Sequence, residues 1–293
     1  MATSQLNGIL IVIWVFLLTS IFSVQALAGD KPPFYQIEYK GKKAYLLGSI
    51  HMGIADFYPM DPIIESLFNS AESLVVEADI ANVDINALIS KYGLKPVTAD
   101  VKTQMLLDDY CHSRREMCSA VKGFSPWLQS MQFGVARFEA LGYSAAYGVE
   151  QQFIAKNNNK PLLELESTEF QFQLMSSFSD KVQWKMVKET IEAPDAEMHD
   201  LVNTWRRGDE VHLSELMEGQ MIDEGDLLMI EKVLWQRNQQ MATKIHQLMG
   251  AESTPQPMFI IVGAGHVVGS KSIVKELIKE GVKVKNCWDL ICS

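Results

Sequence analysis

IIVGAGH, residues 260–266, is an apolar run of strand length that meets glycine and ends in His266. LLGSIH, residues 46–51, repeats the arrangement near the other end of the chain, with Gly48 three positions before His51. Each copy places an imidazole just past the carboxyl end of a buried strand, where glycine lets the backbone turn or approach a neighbour closely. In open α/β sheets that rim is where ligands bind. If the two strands are neighbours, the two rings share one pocket.

Working outward, residues 34–39 and 43–50 alternate as strands around Lys40-Gly41-Lys42, a hairpin signal. Asp61-Pro62 opens a helix running to about Ala71, with Asp as cap and Pro at the first helical position. Residues 73–78, SLVVEA, read as a short buried strand, and Ser125-Pro126 opens another helix. A further strand is predicted over residues 161–165, after Asn157-Asn158-Asn159. Residues 169–249 read as helical, interrupted near Pro194, Gly208 and Gly225. A strand over 258–262, a helix over 270–280 and a last strand over 282–286 close the chain. Strands thus lie at both ends with helices between. The pattern predicts an α/β fold: a mixed central sheet built from N- and C-terminal segments, flanked by helices, with a large helical middle insertion or lid over 169–249.

Residues 1–28 contain no Asp, Glu, Lys or Arg, and an apolar run of about 16 residues is followed by Ala26-Leu27-Ala28. This is the pattern of a secretory signal cut before Gly29, although the usual basic residue near the start is missing. The alternative is an uncleaved anchor, for which the run is short against the roughly 20 residues that span a bilayer. The expected location is therefore periplasmic or secreted, with membrane contact only through the signal or an anchor. A net charge of −10 without a basic stripe argues against nucleic-acid binding. The four cysteines fall in two local pairs, Cys111 with Cys118 and Cys287 with Cys292. In an oxidising compartment they suggest two short-loop disulfides; the other reading is four free or partly buried thiols. Within one helix Cys111 and Cys118 would stand about 10 Å apart, so a bridge there needs a break between them.

A carboxylate completes the set. Glu77 ends the apolar strand Val75-Val76, where a buried charge is costly without a partner. Two histidines and one carboxylate form a recognised metal set, so His51, Glu77 and His266 are the candidate ligands. The remaining histidines, His112, His199, His212 and His246, lie in polar helical stretches and read as surface or packing residues. The methionines and tryptophans of residues 169–249 read chiefly as the buried stripes of amphipathic helices; an adaptable peptide groove is the other use of such side chains.

The chain resembles the TraB/GumN family, which also includes the Tiki proteases. The matching words, in order, are YLLGSIHMG (45–53), LVVEAD (74–79), Gly148-Val149-Glu150 with Phe153, KPLLELES (160–167), WRRGD (205–209), Arg237-Asn238 and IVGAGHVVG (261–269). Ser49 stands where the family more often has threonine, which keeps the hydroxyl. The resemblance implies a fold related to the erythromycin-esterase and ChaN-like proteins. It also implies a metal-dependent hydrolytic site with manganese or cobalt, and it carries family roles onto His51, Glu77 and His266, with Arg237 and Glu150 as further candidates. The expected function is hydrolysis of a peptide or small polypeptide: Glu77 or Glu150 as general base, Arg237 facing the developing oxyanion. Two other functions are open to the same residues. One is a protein that sequesters a peptide, haem or metal without turnover. The other is a metal-independent esterase using His51 or His266 as base.

Overall fold

The two histidine-bearing runs are strands, and they are neighbours. The computed structural model describes residues 29–219 and 227–293. The expected export signal or anchor over residues 1–28 and the interruption near Gly225 lie outside the described residues. Six strands form one sheet: β1 Phe34–Tyr39, β2 Lys42–Ser49, β3 Ser73–Val76, β4 Leu162–Glu164, β5 Met258–Gly263 and β6 Lys283–Asn286. Their order is β4-β3-β5-β2-β1-β6. β2 pairs β5 in parallel, as β5 does β3 and β3 does β4, while β1 runs antiparallel to both β2 and β6. The hairpin at the start of the chain thus slots between two C-terminal strands, as expected of a mixed sheet assembled from both ends.

Both faces of the sheet are covered, which is why its central strands are apolar at nearly every position. One face carries Ala44, Leu46, Val75, Ile260 and Val262, packed with Met241, Ala242, Ile245, Ile273 and Leu277. The other carries Tyr45, Leu47, Leu74, Val76, Phe259 and Ile261, packed with Ile64, Phe68, Phe153, Val202 and Trp205. Alternation along each strand sends successive side chains to opposite layers, so a one-residue slip would exchange the two cores.

The helices that matter below are α1 Pro62–Ser70, α2 Val101–His112, α3 Arg115–Val121, α4 Pro126–Ala140 and α5 Val149–Ala155. They are followed by α6 Thr168–Ser176, α7 Asp180–Glu192, α8 Asp195–Arg207 and α9 Glu210–Ser214. The set closes with α10 Gln236–Gly250, α11 Ala264–Val267 and α12 Ile273–Lys279. The breaks expected at Pro194 and Gly208 are present: Pro194 precedes α8, and Gly208 ends it in the left-handed conformation at φ 67°. Within residues 169–249 the helices pack on different parts of the fold. α8 and α10 lie on opposite faces of the sheet, whereas α7 packs with α4 through Trp127, Phe133, Trp184, Met186 and Val187. Most of the large methionines and tryptophans of this stretch are accordingly core, Met186, Met198, Trp205 and Met241 among them.

Both cysteine pairs are bonded. α2 ends before residues 113–114 and α3 begins after them, and that break brings the Cα atoms of Cys111 and Cys118 to 5.9 Å. Cys287 and Cys292 close a loop after β6, with Cα atoms 5.3 Å apart. Among the described residues no helix is long and apolar enough to cross a membrane.

Candidate active site

Register decides where the side chains meet. Ser49 on β2 lies beside Gly263 on β5, and Ile261 on β5 lies beside Val76 on β3. β5 is therefore flanked by the two strands whose ends carry His51 and Glu77, while its own end leads into α11 and His266. A side chain placed on Gly263 would meet all three: its Cβ would lie 3.2 Å from Glu77 Oε1, 3.6 Å from the His266 ring and 4.0 Å from His51 Nε2. Glycine at 263 is thus the floor on which the site is assembled. His266 and Glu77 are buried and His51 is exposed, so the site opens to solvent on the His51 side.

The His51 loop is docked onto the chain around α5. Val149 donates its amide to the Ile50 carbonyl, and Gly53 and Ser144 exchange backbone hydrogen bonds at 3.0 and 2.8 Å. A Cβ on Gly148 would lie 2.4 Å from the His51 carbonyl oxygen, so the Gly-Val-Glu word is a close backbone approach as well as a source of Glu150.

Glu77 is held from two sides and faces His266 on a third. The Gly263 amide donates to Oε1 at 2.7 Å, Arg237 donates to Oε2 at 3.2 Å, and His266 Nε2 lies 3.5 Å from Oε1. Arg237 also forms a bidentate pair with Glu166, at 2.7 Å from Nη2 and 3.0 Å from Nε, and donates Nη1 to the Val233 carbonyl. Glu166 is placed by backbone pairing just past β4, where its amide donates to the Glu77 carbonyl. Gln171 reaches both carboxylates at 3.4 Å. Burial opposes the charge on Glu77, but His266, Arg237 and His51, together with the Gly263 amide, outweigh it and hold the carboxyl down to about 2. With His266 uncharged at neutral pH, Arg237 and the amide remain to keep Glu77 ionised.

Glu150 behaves oppositely. Burial, and then the neighbouring charges of Glu77 and Asp79, push its carboxyl up to about 8, against a hydrogen bond from the Glu77 backbone. Its Oε1 is buried without a hydrogen-bond partner among the described residues, as is the hydroxyl of Ser49. Two carboxyls in one site are thereby driven apart, one anionic and one protonated near neutrality, the pattern that separates a fixed charge from a proton carrier. Because the native pKa of Glu150 lies above its unfolded value, its contribution to stability falls as pH rises from the ordinary carboxyl range through about 8. Glu150→Gln is therefore expected to raise the thermal midpoint, more at about pH 8 than at about pH 5, in calorimetric scans. A gain that shrank with rising pH would overturn the assignment.

His266 Nδ1 lies 2.6 Å from Asn238 Oδ1, within hydrogen-bond distance. Its pKa falls to about 4, chiefly through burial, with Arg237 and His51 adding to the fall and Glu77 opposing it. Burial thus leaves the ring neutral at neutral pH; with its one proton on Nδ1 toward Asn238, a bare Nε2 faces Glu77 Oε1, which carries no proton, at 3.5 Å. Two facing acceptors, with two buried oxygens nearby lacking partners, suit a cation or a water placed among them. Imidazole with carboxylate also suits manganese or cobalt chemically. As the side chains stand, however, no three His, Cys, Asp or Glu groups among the described residues are gathered closely enough to enclose an ion. Glu77 and His266 are the preformed half; His51, on an exposed loop, is the third candidate.

All five predicted site residues converge on this edge of the sheet. Glu166, Asn238 and Gln171 were missed as participants, although Glu166 and Asn238 stand inside the quoted words KPLLELES and Arg237-Asn238. The other histidines are elsewhere: His199 bonds Tyr143, His212 pairs with Asp200, His246 pairs with Glu280, and His112 is exposed at the end of α2.

Two curated relatives, called Uncharacterized protein YbaP in Shigella flexneri and in Escherichia coli (strain K12), are each 28% identical over 158 residues. The match covers 51% of this chain and 58% of each relative, so little more than half of their length is spanned. No solved structure matches the chain significantly. Residues 33–286, from the edge of β1 to the end of β6, match the TraB/PrgY/gumN family, and the chain belongs to that family.

Proposed function

We propose that the protein is an exported hydrolase that works with a divalent metal, manganese or cobalt, on a peptide or small polypeptide. The observation that carries the reading is the meeting of His51, Glu77 and His266 around Gly263, with Glu150 holding a proton beside them. His266 Nε2, Glu77 and His51 would hold the ion, whose chemistry is activation of water and polarisation of a carbonyl. Glu77, anionic and clamped by Arg237 and the Gly263 amide, keeps negative charge at the rim. Glu150 is the proton carrier, since a carboxyl poised near neutrality can both take and return a proton. Arg237 has its guanidinium turned onto Glu77, Glu166 and Val233, so its contacts favour holding Glu77 over facing an oxyanion. Export is supported by the apolar leader and by two short-loop disulfides, which persist in oxidising compartments.

The same geometry bears a second reading. With only Glu77 and His266 preformed as a donor pair, His266 could act as a neutral base on water in a metal-independent esterase. One experiment separates the two. Residues 29–293 are stripped with chelator, reloaded with Mn²⁺ or Co²⁺, and incubated with a peptide library and simple esters under mass-spectrometric readout. Metal-dependent peptide cleavage that disappears in the His51→Ala/His266→Ala double variant is the expected result. Ester hydrolysis surviving exhaustive chelation sinks the metal reading, and metal-bound protein that retains peptides without product sinks turnover altogether.

A further inference from the structure

The first turn of α10 carries Arg237 and Asn238 side by side, and each holds a different member of the site. Arg237 reaches Glu77, and Asn238 reaches His266. A π-helical turn, Glu231–Trp235, runs directly into them. Such bulges reset which side chains a helix presents, and they recur at functional sites.

The Asn238 amide is fully buried, and both of its ends are engaged. Nδ2 donates to the Lys271 carbonyl at 2.8 Å, which identifies that end as the donor. Oδ1 must then be the end 2.6 Å from His266 Nδ1. A carbonyl oxygen brings no proton, so the bond exists only when Nδ1 carries one. A neutral ring has a single proton to place, which leaves Nε2 bare and facing Glu77 Oε1 at 3.5 Å. The Lys271 carbonyl thus orients Asn238, Asn238 orients the imidazole, and the imidazole offers one defined lone pair to the pocket.

We infer that Asn238 is a positioning residue that fixes the Nδ1–H tautomer of His266, so that Nε2 is the atom presented to a metal ion. The inference rests on the proposed function for its consequence but not for its structural content. It joins the two halves of the site through one helix: a shift of α10 would disturb the carboxylate and the imidazole together.

The test uses residues 29–293 as wild type, Asn238→Leu and Asn238→Asp. Long-range ¹H–¹⁵N correlation spectra at neutral pH, without metal, report which ring nitrogen of His266 is protonated. Calorimetric titration with Mn²⁺ alone reports affinity. The wild-type ring is expected as Nδ1–H. Asn238→Leu removes the acceptor and is expected to move population to Nε2–H and weaken Mn²⁺ binding by roughly 10- to 100-fold. Asn238→Asp keeps an acceptor and is expected to restore Nδ1–H. A wild-type ring protonated at Nε2, or Asn238→Leu retaining Nδ1–H, overturns the inference. If the leucine variant does not fold, the wild-type and aspartate spectra still decide. Wild-type protein with the Nδ1–H ring but no Mn²⁺ binding and no cleavage would defeat the proposed function while leaving the tautomer assignment standing.

Discussion

Arg237→Met is expected to lower the free energy of unfolding by about 3–5 kcal/mol at neutral pH, as removing one partner of a buried ion pair does. The guanidinium is nearly buried and its donors are committed: Glu166 in bidentate fashion, Glu77 at 3.2 Å, and the Val233 carbonyl. The side chains of Glu77 and Glu166 are 8% and 4% exposed, so water cannot replace the lost contacts. Methionine fills similar volume but leaves two carboxylates stranded, each with a desolvation cost and a like-charged neighbour. The sign of the pH dependence follows. In the wild type, the native pKa of Glu77 lies near 2, below its unfolded value, so its stabilisation is present above the ordinary carboxyl range and is lost as pH falls toward 2. In the variant the stranded carboxylates bind protons more readily in the native state. The deficit should therefore be largest at neutral pH and shrink on acidification. Urea unfolding across that range checks both parts; a deficit under about 1 kcal/mol at neutral pH, or one that grew in acid, would refute the clamp.

That clamp also marks the limit of what the sequence makes legible. The two Gly-x-x-His words, the strand ends they close and the carboxylate after Val75-Val76 can be read directly, because an apolar run, a glycine and a polar residue are local signals. The hairpin at Lys40-Gly41 is legible for the same reason, and both residues adopt positive φ, 50° and 78°. Parallel pairing of β2 with β5 and of β5 with β3 is not local, and only that pairing turns three separate strand ends into one site. Glu166 and Asn238 stayed hidden because their meaning is a partner. Glu166 sits in a polar stretch after a three-residue strand, and Asn238 in a helix that reads as amphipathic. α2 and α3 are not legible in the sequence although Asp100 caps α2 through Lys102 and Thr103, since the segment has few apolar positions. A break between those helices follows from disulfide geometry only if Cys111 and Cys118 are bonded; they are, and the break lies at residues 113–114.

Trp205→Ala is expected to cost about 3–5 kcal/mol, the range for deleting a large buried aromatic. The indole is completely buried on α8, tilted against Phe57 at 5.3 Å. Its Nε1 donates to the Gly48 carbonyl at 2.8 Å, so the tryptophan of the WRRGD word is bonded to the glycine of the first histidine word. Gly48 has little freedom of its own: its amide donates to the Pro33 carbonyl at 2.8 Å, and a Cβ there would lie 3.3 Å from Ala264 Cα. The strand end that delivers His51 is thus fixed against both α8 and the start of α11. Two substitutions separate packing from the hydrogen bond. Trp205→Phe keeps most of the buried ring but leaves the Gly48 carbonyl without its donor, at a cost of about 1–3 kcal/mol. Trp205→Ala loses both and leaves a cavity between Phe57 and the sheet. Urea unfolding of the two variants should rank them in that order. Ring ¹⁵N shifts of His51 should move in Trp205→Phe while those of His246, paired with Glu280 on the helix that packs against the other face of the sheet, stay in place. A phenylalanine variant as stable as the wild type, with His51 undisturbed, would mean that the indole only fills space and that His51 is positioned by the Gly148 approach alone.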